Sequence, residues 1–168
     1  TKTHLNWLYI VICDSFSKFF MESPMFHTSL LLLFTLEDKP DTEYSQLLCL
    51  CKNKLGECPV PLATINFLLQ EVCLNPKVQL PWKVLCDNLK CIAKLFINNC
   101  LAFTSPLPVF EAVKQICLSH ASPEVRITCS TFITAIAKFI NSPNFCLQEC
   151  HAAFNAFDQP QSTIDQKH

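Results

Sequence analysis

Between Pro81 and Asn98, apolar side chains recur at Trp82, Leu85, Leu89, Ile92 and Phe96. The steps of three, four, three and four follow one face of an α-helix. Lys83, Asp87, Lys90 and Lys94 run along the opposite face. Val84, Cys91 and Leu95 form a shoulder beside the main stripe. The apolar arc is broader than a surface helix needs, which predicts neighbours on more than one side. A second pattern lies further on. Val125, Cys129, Phe132, Ile136 and Phe139 or Ile140 again keep helical spacing, and the eleven residues from Ile127 to Ala137 carry no charge.

The starts of such segments are marked by proline. Four of the eleven prolines follow serine, at Ser23-Pro24, Ser105-Pro106, Ser122-Pro123 and Ser142-Pro143. A serine oxygen accepts from an orphan N–H of the first turn, and proline at the first helical position loses nothing by lacking its own N–H. Eight helices are predicted, over about Lys2–Phe20, Pro24–Leu36, Thr42–Leu55, Pro61–Leu74, Pro81–Asn98, Leu107–Ser119, Pro123–Asn141 and Pro143–Phe157. No segment alternates as a strand between hairpin turns, and the lone Gly56 reads as a C-terminal helix cap. Helices beginning near 24, 61 and 106 are followed by helices near 42, 81 and 123. Their spacing of roughly 40 residues is the period of two-helix solenoid repeats. The expected fold is all-α, with antiparallel helix pairs stacked as a solenoid. It forms one helical-repeat domain over 1–157, part of a longer protein, with a disordered polar tail over 158–168.

Composition narrows the classes. Half the residues are apolar and 16% are charged, against a usual charged share of about 25%. Some helix faces are therefore expected to be covered by another body. The longest apolar runs, within Ser29–Leu36 and Leu5–Cys13, fall short of the roughly 20 residues needed to span a bilayer. No membrane partner is expected. The net charge is −1 with Arg126 the sole arginine, so there is no basic footprint for nucleic acid. The twelve cysteines include Cys86, Cys91, Cys117, Cys129 and Cys146, which sit inside apolar helical patterns and behave as small hydrophobes. A reducing compartment, nuclear or cytoplasmic, is the expectation.

Candidate chemistry is sparse. Phosphate-cradling loops need glycines, and this chain has one. Cys150 and His151 are adjacent and so do not face each other on a helix. No catalytic residue and no cofactor are expected. Cys49, Cys51 and Cys58 are spaced C-x-C-x6-C, but on a helix the first two diverge by about 200°, and no fourth ligand is near. No metal is expected.

Residues 107–141 resemble a HEAT repeat. The turn before the second helix runs into Pro123-Glu124-Val125-Arg126, which matches the Pro-x-Val-Arg signature of that family. Cys129 takes the first small position, and Phe132 stands where a second small residue is usual. The family places an Asp six residues before the Arg; here the residue is His120. The resemblance implies a HEAT- or armadillo-like α-solenoid whose second helices line a concave surface. The Cys- and Phe-rich, Arg-poor composition is also similar to the large helical scaffolds of meiotic recombination, which implies a nuclear, chromosome-associated setting.

The expected function is non-catalytic. It is that of a protein-interaction scaffold offering an apolar groove or end face to a helical or extended segment of another protein. Ile127, Thr131, Phe132, Thr134 and Lys138 are the candidate partner-binding residues. Lys83, Lys90 and Lys94 are the candidate face for phosphate or an acidic partner, and they carry the alternative of a nucleic-acid-associated module. A secreted helical cytokine is a third class, and it requires disulfides.

Overall fold

The structure, a computed structural model, describes residues 2–13, 24–36, 42–100 and 105–141, with scattered positions between 144 and 155. All the regular structure among the described residues is helical. The helices are α1 (Lys2–Cys13), α2 (Pro24–Thr35), α3 (Thr42–Leu55), α4 (Leu62–Leu68), α5 (Trp82–Asn99), α6 (Leu107–Ser119) and α7 (Pro123–Ile140). The first helix was expected to reach Phe20; residues 14–20 lie outside the described residues, as do the tail over 158–168 and most of the helix expected over Pro143–Phe157. No described helix is long and apolar enough to cross a membrane.

The serine cap read from the sequence forms at α7, while α4, α5 and α6 start without a side-chain cap bond. Ser122 caps α7, its hydroxyl accepting from the Val125 N–H at 3.4 Å and donating to Glu124 at 2.7 Å. Pro24 is the first residue of α2. Pro61 and Pro81 sit one residue before their helices, with extended backbone angles. Asn141 ends α7 in the left-handed conformation at φ 45°, its N–H donating to the Ala137 carbonyl.

Two local features differ from expectation. The helix begun at Leu62 widens into a π segment over Leu69–Cys73, where the Leu74 N–H reaches back five residues to the Leu69 carbonyl at 3.0 Å. Leu68, Leu69 and Val72 all stay buried through this turn. Gly56 is not a left-handed cap, since no glycine has a positive φ. A Cβ there would stand 2.9 Å from Cδ of Lys94 and 3.3 Å from the Asn53 carbonyl oxygen, so a larger residue would make the Lys94 stem shift.

One contiguous core runs through all seven helices. Alternate helices touch in succession: α1 meets α3, α3 meets α5, and α5 meets α7. Helix α2 meets α4 and its π segment, these meet α6, and they also meet α5. The broadest contacts are α5 on α7, α1 on α3 and α6 on α7. Phe96 of α5 meets Phe132 and Phe139 of α7 edge to face, with ring centroids 5.9 and 6.0 Å apart. Such pairs add about 0.5–1.5 kcal/mol beyond the area they bury.

Helix α5 also carries a polar seam into this core. Asn88 is fully buried. Its amide donates to the Phe34 carbonyl at the end of α2 at 2.7 Å, and its oxygen accepts from Lys52 Nζ of α3 at 2.8 Å. Asn98 donates to the Gly56 carbonyl. Asn99 donates to the Cys58 carbonyl and accepts from the Val60 N–H, both at 3.1 Å. The turn after α3 is thus bonded by side chains of α5, as buried backbone requires.

Candidate functional site

Where α5 and α7 lie side by side, they leave a groove of about 290 Å³. Leu89, Ala93 and Ile97 line it from α5, and Ile127, Thr131 and Phe132 from α7. Its rim is apolar and open: Ile97 and Ile127 are 54% and 67% exposed. The hydroxyls of α7 do not make it polar. Thr128, Ser130, Thr131 and Thr134 each donate to the carbonyl four residues back, at 2.9 to 3.1 Å. Ser and Thr bonded in this way satisfy their donors within the helix. A helix surface without charge and with its hydroxyl donors used internally presents mostly methyl and methylene groups.

Of the five residues expected to bind a partner, Ile127, Thr131 and Phe132 line this groove. Thr134 and Lys138 are exposed on α7 but are not part of its lining. Phe132 is 1% exposed. It forms the floor of the groove and belongs to the core rather than to the accessible rim. Ile97 and Ala93 were missed. Ile97 follows the Leu89-Ala93 row at four-residue steps, between the buried stripe and the lysine face, and that spacing was the available signal.

The turn carrying the HEAT resemblance has its own chemistry. Arg126 Nη1 donates to the carbonyls of His120 and Ala121 at 3.1 and 3.2 Å, closing the turn between α6 and α7. His120 Nδ1 accepts from the Ser122 N–H at 3.1 Å. The arginine is thus engaged by main-chain oxygens of its own turn, and the histidine ring holds the same turn.

Lys83, Lys90 and Lys94 stand exposed on α5. Lys83 Nζ lies 5.6 Å from the Trp82 ring centre. Trp82 itself, expected on the inner stripe, is 43% exposed because it opens the helix. Lys90 is 3.6 Å from Asp87, and Lys94 is 3.8 Å from Glu57. Hydrogen bonding and charge from Lys54, joined by Lys94, hold the Glu57 carboxyl below its ordinary range. Lys90 and Lys94, with Lys52, also line a second cavity of about 340 Å³ between α3 and α5. Lys90 is the one lysine that lines both cavities.

The nine cysteines from Cys49 to Cys129 are free thiols. Cys51 and Cys58 are buried, and their thiols donate to the Leu5 and Lys54 carbonyls, both at 3.5 Å. Cys49 is exposed and accepts from Asn53 at 3.4 Å. The three do not converge, and among the described residues no group of three or more His, Cys, Asp or Glu is placed to hold a metal ion. Burial pushes the Cys73, Cys91 and Cys129 thiols up to about 12. The thiolate is the nucleophile, so these cysteines are expected to resist a thiol reagent at pH 8 while the exposed Cys49 reacts first among the nine. Mass mapping of the labelled protein checks this, and fast labelling of Cys91 or Cys129 in the folded chain contradicts it. The same shifts set a sign for stability. Unfolded thiols ionise from about pH 9 while the folded ones stay protonated, so stability is complete below that pH and falls as pH rises toward 12.

No protein-family model, curated protein sequence or solved structure matches this chain.

Proposed function

We propose that this chain is a non-catalytic interaction module, an α-solenoid of HEAT- or armadillo-like helix pairs whose α5/α7 groove receives an apolar segment of another protein. The observation that carries the reading is the groove itself. It has an exposed apolar rim on two adjacent helices, and the side-chain hydroxyl donors of α7 are turned back into its own backbone. Exposed apolar surface of this kind is what interaction sites are made of. The successions of contacts α1–α3–α5–α7 and α2–α4–α6 support the solenoid arrangement. The nuclear, chromosome-associated setting rests on the compositional resemblance alone. Nucleic acid is the weaker reading, because the chain has a net charge of −1 and a single arginine, Arg126.

The test compares proteins captured by four forms of the chain: wild type, Ile97→Asp, Ile127→Asp, and the pair Lys83→Glu/Lys90→Glu. The groove reading expects specific partners to disappear with either aspartate substitution, while circular dichroism shows the fold intact. Loss with the lysine pair alone would sink it. A nucleic-acid interface would instead show binding that falls steeply with salt.

A further inference from the structure

The two candidate surfaces of this protein are neighbours. Lys90 lines the apolar groove between α5 and α7 and also the cavity between α5 and α3. It is the sole ionisable side chain among the described residues that line the groove. Lys94 stands one turn further along the same helix, and Lys83 two turns back. The opposite bank, formed by α7, has no charge from Ile127 to Ala137. Within its described lining the groove is therefore electrically lopsided: the Lys90 ammonium stands on the α5 bank, with Lys94 beyond it on the side of the α3 cavity, and the α7 bank has no charge.

We infer that the segment received by this groove is an amphipathic helix with one acidic flank, laid so that its carboxylates face Lys90 and Lys94. The inference rests on the reading of the groove as a protein-binding surface and adds the conformation and charge of the occupant. Conformation follows from hydrogen bonding. An extended segment brings unpaired N–H and C=O groups, which need a sheet edge or polar side chains to meet them. The groove is walled by two helices, and the Thr128 and Thr131 hydroxyl donors are already given to the Glu124 and Ile127 carbonyls. A helix satisfies its own backbone and asks of the groove only apolar contact. Charge follows from the banks. Lys90 and Lys94 are four residues apart, so two acids one turn apart on the occupant run alongside them. Two carboxylates compete on that bank: Glu57, 3.8 Å from Lys94 with both side chains about half exposed, and Asp87. Asp87 lies 3.6 Å from Lys90 with both side chains about two-thirds exposed, a contact weak enough to be exchanged. The acids fix which way round the helix lies, and the apolar stripe supplies the affinity.

The probe is a display library of helical peptides about four turns long, with a fixed leucine stripe and randomised flanks, selected against the 168-residue chain. The expected binders are enriched in Asp and Glu on one flank. They weaken about tenfold against Lys90→Glu/Lys94→Glu, weaken with added salt, and lose binding to Ile127→Asp. A repeat selection on the charge-reversed chain is expected to turn the enrichment to Lys and Arg. Binders that need Ile127 but show no acidic flank overturn this inference and leave the groove reading standing. Binders indifferent to Ile127→Asp, or none at all, overturn both. Tight binding of a nucleic-acid duplex that depends on the lysines and ignores Ile127→Asp also overturns both.

Discussion

Replacing Asn88 by leucine is expected to lower the unfolding free energy by about 2–4 kcal/mol, although the two side chains are close in size. Asn88 is buried and joins three helices. It donates to the last-turn carbonyl of Phe34 in α2 and accepts from the ammonium of Lys52 in α3. The carbonyls of a helix's last turn have no partner within the helix, so the Phe34 oxygen loses this donor inside the core. The Lys52 bond is charge-assisted, and that class is worth about 1.5–3 kcal/mol. Lys52 also stands over the Phe34 ring, 5.8 Å from its centre, so a shift of the ammonium disturbs the end of α2 a second time. Urea unfolding gives the measurement: the midpoint falls and the slope is unchanged. Combining the change with Lys52→Met should cost less than the sum of the two, since one substitution removes the other's stranded partner. A loss below about 0.5 kcal/mol, the range of ordinary surface changes, would mean that Asn88 does not tie these helices together.

Much of the fold was legible because it follows from short-range rules. Ser122 and Pro123 set the start of α7 through groups within a few residues, and the Lys83–Lys94 face is exposed because its spacing opposes the apolar stripe. Asn88 was within reach as well. Val84, Asn88, Cys91 and Leu95 keep steps of four, three and four, so Asn88 fills the gap in the shoulder. A polar residue inside a buried stripe signals a specific partner. The identity of that partner was not legible, since Lys52 and Phe34 lie 36 and 54 residues away. Lys52 alone looks like a cation at a helix C-terminus, which is a sufficient local reason for it. Trp82 misled for the opposite reason: its spacing is right, but it sits at the helix's first residue, where it stays half exposed. The π segment has no mark in the apolar period, because Leu68, Leu69 and Val72 read as an ordinary helix face. The groove was half legible. The uncharged run of α7 pointed to it, but only packing decides that Ile97 is its other bank and that Phe132 is its floor.

That division between rim and floor gives two substitutions on one helix with opposite signatures. Phe132→Ala is expected to cost about 3–5 kcal/mol, the range for removing a buried aromatic ring. It takes away the edge-to-face contact with Phe96 at 5.9 Å and opens a void between α5 and α7. Partner binding would fall with it because the groove loses its shape. Ile127→Asp is expected to change stability by no more than about 0.5 kcal/mol, since the side chain is 67% exposed in the folded chain and gains little by folding. Its effect falls on binding instead. The carboxylate stands on the uncharged bank, where an apolar occupant would have to bury it, and a buried unpaired charge is costly enough to abolish the complex. Thermal unfolding of both variants, run beside the peptide-binding assay, separates the two roles. If Ile127→Asp unfolds the chain as readily as Phe132→Ala, the side chain is already covered within the folded protein. The groove would then be part of the core, and the apolar rim on which the interaction reading stands would not be open to a partner.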